Sequence, residues 1–197
     1  CLSLVGSEMC IRDSSSIDCV EVDESFNEVL KDQRVMPHLH LSIQSGDDMI
    51  LKRMKRRHNS KDVFQFVDRC KKIRKDISFG ADIIAGFPTE TDTMFENTYK
   101  LLRDSEISHL HIFPFSPKNN TPASRMPQVS KLIIKKRAKI LRDLGKLILK
   151  KVKSKLLLPR EILIEELNSG LAIGYDQNYI KHKVPLVGVP VGEVIRV

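Results

Sequence analysis

Two pairs of histidines, His38 with His40 and His109 with His111, are the side chains best placed to do chemistry. Imidazole titrates near neutrality and is a common metal ligand. Each pair is spaced i, i+2, which puts both rings on one face of an extended strand. A metal site would need a carboxylate or cysteine at ligand spacing to complete the set, and none stands near either pair in the chain. The expectation is therefore no metal site, with the histidines as hydrogen-bonded wall residues. Gln44, at the end of the run that holds the first pair, can both donate and accept hydrogen bonds, and Asp82 offers a carboxylate suited to hydroxyl groups such as those of a ribose. The four cysteines, Cys1, Cys10, Cys19 and Cys70, form no C-x-x-C and no zinc-finger spacing. Cys19 and Cys70 read as core residues, and the usage fits a reducing, cytoplasmic setting.

The elements that must position these residues alternate. His38 to Gln44 alternates polar with apolar, the period of a strand, and Ser45 to Asp48 reads as the turn after it. Phe79 to Pro88 has an apolar centre closed by Gly86 and Pro88, a buried strand ending in a tight loop. His109 to Phe115 is a third strand. Apolar residues at helical spacing mark a short helix over Asp23–Leu30 and longer ones over Ser60–Lys75 and Thr91–Ser105. Strands alternating with helices of this length predict three βαβ units and a parallel sheet, with the chemistry at the carboxyl ends of the strands: Gln44–Asp47, Gly86–Glu90 and Ser116–Ala123. From Glu161 the texture changes to short apolar runs separated by Asn, Gly and Pro, the pattern of a small β module. No apolar run approaches the ~18–20 residues of a membrane span.

Charge is distributed unevenly. The chain carries a net +8, yet Lys131 to Arg160 holds twelve Lys or Arg against the single acid Asp143, a local +11. Ser130 to Leu158 reads as one amphipathic helix, with Ile134, Ala138, Leu141, Ile148 and Val152 on its apolar stripe. An ordinary solvated face is one reading of such a run, and a polyanion-binding face is the other.

Four segments in order, His38–Asp48, Leu51–Arg57, Asp82–Thr91 and Phe115–Ala123, closely resemble the radical S-adenosylmethionine (SAM) methylthiotransferases. The wording His-Leu-His-Leu-Ser with Lys-Arg-Arg is most similar to the branch that modifies threonylcarbamoyladenosine beside the tRNA anticodon; sister branches act on isopentenyladenosine in tRNA or on a ribosomal protein. The resemblance implies an α/β fold: the C-terminal half of a partial (β/α) barrel over 15–129, a basic linker helix over 130–158 and a TRAM-like RNA-binding β module over 159–197. It also implies that Cys1 to Ser14, which resembles translated sequencing-adapter DNA, is not native, and that the C-x-x-x-C-x-x-C segment lies outside this chain, leaving it inactive alone.

In such enzymes a [4Fe–4S] cluster binds SAM and, on reduction by an electron-donor protein, cleaves it to a radical. The resemblance assigns cofactor contacts to Gln44, Asp82, Arg56 (for the methionyl carboxylate), Ile84 and Gly86 (for the adenine side). Alternatives stay open: Asp82 as a helix cap, Gln44 satisfying buried backbone, Arg56 pairing with a surface acid. It makes tRNA the partner of the basic segment 131–160 and the β module, with Tyr175 and Tyr179 available to stack on unpaired bases.

Overall fold

The computed structural model describes residues 16–156, 160–185 and 190–196. Cys1 to Ser14, the expected adapter-derived segment, therefore lies outside the described residues, as do 15, 157–159, 186–189 and 197.

Strands β1 (His38–Gln44), β2 (Ser78–Ala85) and β3 (His109–Pro114) form a parallel sheet in the order β1-β2-β3. Ile17 bridges Leu41 on the free side of β1, its backbone bonding to His40 and Ser42. Helix α1 (Phe26–Lys31) precedes β1; α2 (Asp48–Arg53) and α3 (Ser60–Ile73) cross from β1 to β2; α4 (Asp92–Asp104) crosses from β2 to β3. Three βαβ units were expected. Three strands permit two crossovers, and β3 is followed instead by a 3-10 turn, Pro122–Arg125, and the 25-residue α5 (Lys131–Lys155).

Side-chain caps start α2 to α5. Asn59 and Asp62 form a reciprocal capping box on α3, while Thr91 and Ser130 cap α4 and α5 through the N–H groups of Met94 and Ile133. Asp47, expected to lie in a turn, is the cap of α2, accepting from Met49 N at 3.0 Å and Ile50 N at 3.1 Å. Six residues are too few to display a helical period, which is why α2 is silent in the sequence.

The sheet has two unlike faces. Leu39, Leu41, Ile43, Phe79, Ala81, Ile83, Ala85 and Ile112 are buried against α1, α3, α4 and α5. Helix α5 is no mere linker: Ala138, Leu141, Leu144 and Ile148 belong to this same core, and the helix lies along β3. A parallel sheet covered on both faces reads as continuously apolar. Here every second residue points to an opposite, polar face, and that face carries the histidines.

Four further strands, β4 (Glu161–Asn168), β5 (Leu171–Asp176), β6 (Lys181–Pro185) and β7 (Val194–Arg196), form an antiparallel sheet ordered β6-β5-β4-β7 around Ile162, Ile164 and Ala172. Its 176–180 loop docks on the amino ends of the parallel strands. Asn178 Nδ2 donates to Pro37 O at 3.0 Å and Asp76 O at 2.6 Å, and Ser78 Oγ donates to Asn178 O at 3.0 Å. Asp176 shapes the loop. Its Oδ1 accepts from the N–H groups of Asn178 and Ile180, both at 2.9 Å, while Oδ2 meets Arg160 and, at 2.9 Å, His182 Nε2. Burial would raise this carboxyl, but the Ile180 N–H, His182 and Arg160 together hold it below the usual range.

Candidate functional site

Parallel register brings the polar face together. His40 lies opposite Gly80, Gly80 opposite His109, and Asp82 opposite His111. Asp82, on the central strand, therefore stands between the two outer histidines. Its Oδ1 is 3.0 Å from His40 Nε2 and 3.3 Å from His111 Nδ1, and the two rings lie 4.8 Å apart. The sequence expectation that no carboxylate completes a ligand set around the histidines fails here, because strand pairing supplies one from 42 residues away. A β-carbon on Gly80 would lie 2.6 Å from His40 Nδ1 and 3.3 Å from the His109 β-carbon. Glycine is thus what lets the imidazoles close over the central strand.

Toward the amino ends of the strands the wall is drier. His38 Nδ1 is 2.8 Å from Ser78 Oγ, and its ring meets His109 edge-on at 4.9 Å. Burial, reinforced by the neighbouring imidazoles, lowers His38 to about 3. Burial likewise lowers His109 to about 4. Both rings are neutral at physiological pH. Tyr179 stacks on His38 at 5.3 Å and on Tyr175 at 4.9 Å. The two tyrosines expected to serve as base platforms are thus members of an aromatic column that joins the antiparallel sheet to the histidine wall.

The residues assigned to a cofactor fall in different settings. Asp82 and Ile84 share the polar face, both half-buried. Asp82 caps no helix, and its Oδ2 makes no hydrogen bond among the described residues. Gln44 ends β1 with φ +67° and donates from Nε2 to Ser42 Oγ at 3.3 Å. Gly86 turns the chain with φ +76°, and the space beside it is filled by Ile134 of α5: an added β-carbon would lie 2.4 Å from Ile134 Cγ1. The close approach that demands glycine there is to the chain's own helix. Arg56 is half-buried beyond α2, and no hydrogen bond or ion pair joins it to Gln44, Asp82 or a surface acid among the described residues. Its neighbours are engaged, Arg57 with Glu21 and Arg53 with Thr89 Oγ1 at 2.6 Å.

Below the Gly86 turn lies a group that sequence reading missed. Arg137 of α5 reaches Glu90 Oε2 at 2.6 Å, Glu90 O at 3.0 Å and Asp92 at 2.7 Å, and Glu90 also accepts from Gly86 N at 3.1 Å. Arg137 and Glu90 side chains are only 6% and 2% exposed. The basic count along α5 concealed that one of its cations is buried.

The rest of that helix is basic on one side. Lys131, Lys135, Lys139, Arg142, Lys146, Lys150 and Lys153 recur at intervals of three or four and are exposed, forming a single stripe opposite the buried one. Lys139 and Lys146 are partly neutralised by Asp143. Among the described residues the cysteines are Cys19 and Cys70, with Cys70 sealed in the core. Burial lifts their thiols to about 12 and about 11, Asp18 and Asp62 adding to the effect at Cys19. Iron–sulfur clusters are held by several converging thiolates, and these two do not fit that requirement.

The Radical SAM superfamily model matches residues 14–102. Coproporphyrinogen III oxidase of Escherichia coli, a radical SAM enzyme, superposes with a TM-score of 0.53 over 66% of this chain and 32% of its own, at 18% identity, a likeness of fold. Sheet order and matched segment together define a radical SAM core. Two bacterial threonylcarbamoyladenosine tRNA methylthiotransferases are similar in sequence. That of Rickettsia prowazekii is 58% identical over 132 residues, 66% of this chain, and that of Thermotoga maritima 39% identical over 186 residues, 91% of this chain. The chain belongs to the radical SAM methylthiotransferase family. It spans 31% and 42% of the length of these two relatives.

Proposed function

We propose that this chain is the C-terminal portion of an enzyme that adds a methylthio group to threonylcarbamoyladenosine beside the tRNA anticodon by radical SAM chemistry. The observation that carries the reading is the polar sheet face, where the motifs shared with the family converge on Asp82 with Gln44 at the carboxyl edge. Asp82 Oδ2 would accept from the ribose hydroxyls of SAM, Gln44 would bond its polar groups, and Ile84 and the Gly86 turn would cover the adenine. Arg56, planar and without an ion pair among the described residues, suits the methionyl carboxylate. When bound beside a [4Fe–4S] cluster, SAM supplies the methyl group and the one-electron chemistry. With no converging thiolates among its described residues, the chain alone binds but does not turn over; the cluster and an electron-donor protein belong to the complete enzyme.

The exposed stripe of α5 would grip tRNA phosphates, and 159–197 would act as a TRAM-like module beside it. No helix among the described residues is long and apolar enough to cross a membrane, in keeping with work on tRNA in the cytoplasm. Two titrations test the proposal. An anticodon stem-loop should bind the chain with affinity falling steeply with salt, and Lys135→Glu with Lys139→Glu and Lys146→Glu should flatten the log–log salt slope by roughly one per contact removed. Calorimetry with SAM should show Asp82→Asn weakening binding ~10-fold or more, the scale of a hydrogen bond to a charged group. A salt-insensitive stem-loop, or SAM affinity indifferent to Asp82, would sink the respective half.

A further inference from the structure

We propose that His40, Asp82 and His111 form a site for a divalent first-row transition metal, Zn2+ or Fe2+, distinct from any iron–sulfur cluster. The His40 Nε2, Asp82 Oδ1 and His111 Nδ1 atoms lie within 4.8 Å of one another. Ligands about 2.0–2.2 Å from a metal stand about 3.0 Å apart at octahedral angles and about 3.4 Å apart at tetrahedral ones. The observed 3.0 and 3.3 Å from Oδ1 to the two nitrogens match those edges. Both contacts converge on the same carboxylate oxygen, as they do when three ligands surround one point. Two imidazoles and one carboxylate are the donor set suited to zinc and to non-haem iron.

The surroundings support coordination. Gly80 removes the β-carbon that would displace the His40 ring. The His111 side chain is 58% exposed, so further coordination positions open toward solvent and toward whatever occupies the polar face. His38 and His109, on the same wall, are excluded: His38 is held by Ser78 and stacked under Tyr179, and His109 packs edge-on against it. Oδ2 of Asp82 remains available, so the metal and the hydroxyl contact proposed above do not exclude each other.

The test uses the full chain, stripped of metal with a chelator and titrated with Co2+ in the absence of SAM. A saturable visible d–d spectrum of nitrogen and oxygen ligation is expected, with Zn2+ displacing the cobalt. His111→Ala and Asp82→Asn should each weaken binding by at least the ~10–100-fold that loss of an outer-sphere partner costs, while His109→Gln leaves it unchanged. Circular dichroism of each variant confirms the fold, and the exposed His111 makes its variant the decisive one. Three results overturn the proposal: no saturable binding, binding unaffected by His111→Ala, or a thiolate charge-transfer band abolished by Cys19→Ser. The last would move the metal to the cluster of Asp18, Cys19 and His58. Because SAM and RNA are absent from the titration, its failure leaves the proposed enzymatic function standing.

Discussion

Gly86 illustrates how a single residue is fixed by backbone and packing together. Its positive φ costs an L-residue ~1–2 kcal/mol, and the β-carbon collision with Ile134 adds an overpacking penalty of ~1–3 kcal/mol. Gly86→Ala should therefore lower stability by about 2–5 kcal/mol in urea denaturation, and adding Ile134→Ala should restore the steric share only against that variant's own cavity cost. Absence of any coupling between the two substitutions would show that Ile134 is not the obstacle. Arg137 answers to electrostatics instead. Burial raises the Glu90 carboxyl, with Arg137 and the Gly86 N–H only partly opposing it. Arg137→Met strips the charge partner from a buried acid, a loss of ~3–5 kcal/mol. A raised folded pKa contributes stability that is present below the unfolded value and lost as pH rises through the folded one. The deficit of Arg137→Met should consequently shrink as pH falls from neutrality toward the ordinary carboxyl value of 4.5 and Glu90 takes up a proton. A deficit that does not change with pH would refute this account.

Among the elements, α5 is asked to satisfy three demands along 25 residues: an apolar stripe for the sheet, a basic stripe for solvent or RNA, and an anchor at its end. The anchor is Glu106 in the turn before β3, 2.8 Å from both Lys151 and Lys155 and 3.4 Å from Lys71. Burial pushes this carboxyl up, but the lysines outweigh it and bring it to about 2. Because the folded pKa is depressed, the stabilisation is present above the usual 4.5 and lost as pH falls from there to about 2. Exposure of the lysines limits it to less than ~1 kcal/mol. Urea midpoints followed across that acid window should fall less steeply in Glu106→Gln than in the wild type; parallel profiles would show that the contacts are not formed in solution.

At the level of the whole molecule, two cores meet across one loop. Asn178 is 7% exposed and gives both amide hydrogens to carbonyls of the parallel unit. Asn178→Ala leaves Asp76 O without that partner, a cost of ~1–3 kcal/mol, while Pro37 O keeps the Ser78 N–H at 2.8 Å. The antiparallel sheet should then exchange its amide hydrogens faster, with little change in β1–β3. Hydrogen-exchange mass spectrometry reads this directly, and uniform acceleration across both sheets would mean that the loop does not join separable units. The same docking explains why Tyr175 and Tyr179 stack within the protein: the loop that Asp176 folds delivers Tyr179 onto His38.

Sequence alone determined the alternation of strand and helix, the parallel order, the basic helix and the family, because periodicity, turn residues and motif spacing are local signals. It located Gln44 and Gly86 at strand ends and Asp82 and Ile84 within a strand, without showing what each one faces. Tertiary structure decided the rest. Strand register, not spacing along the chain, set Asp82 between His40 and His111. Helix docking filled the space beside Gly86 with Ile134 and buried Arg137 out of the basic residues of α5. These partners come from strands and helices tens of residues apart, and no window on the sequence spans the pairing that joins them.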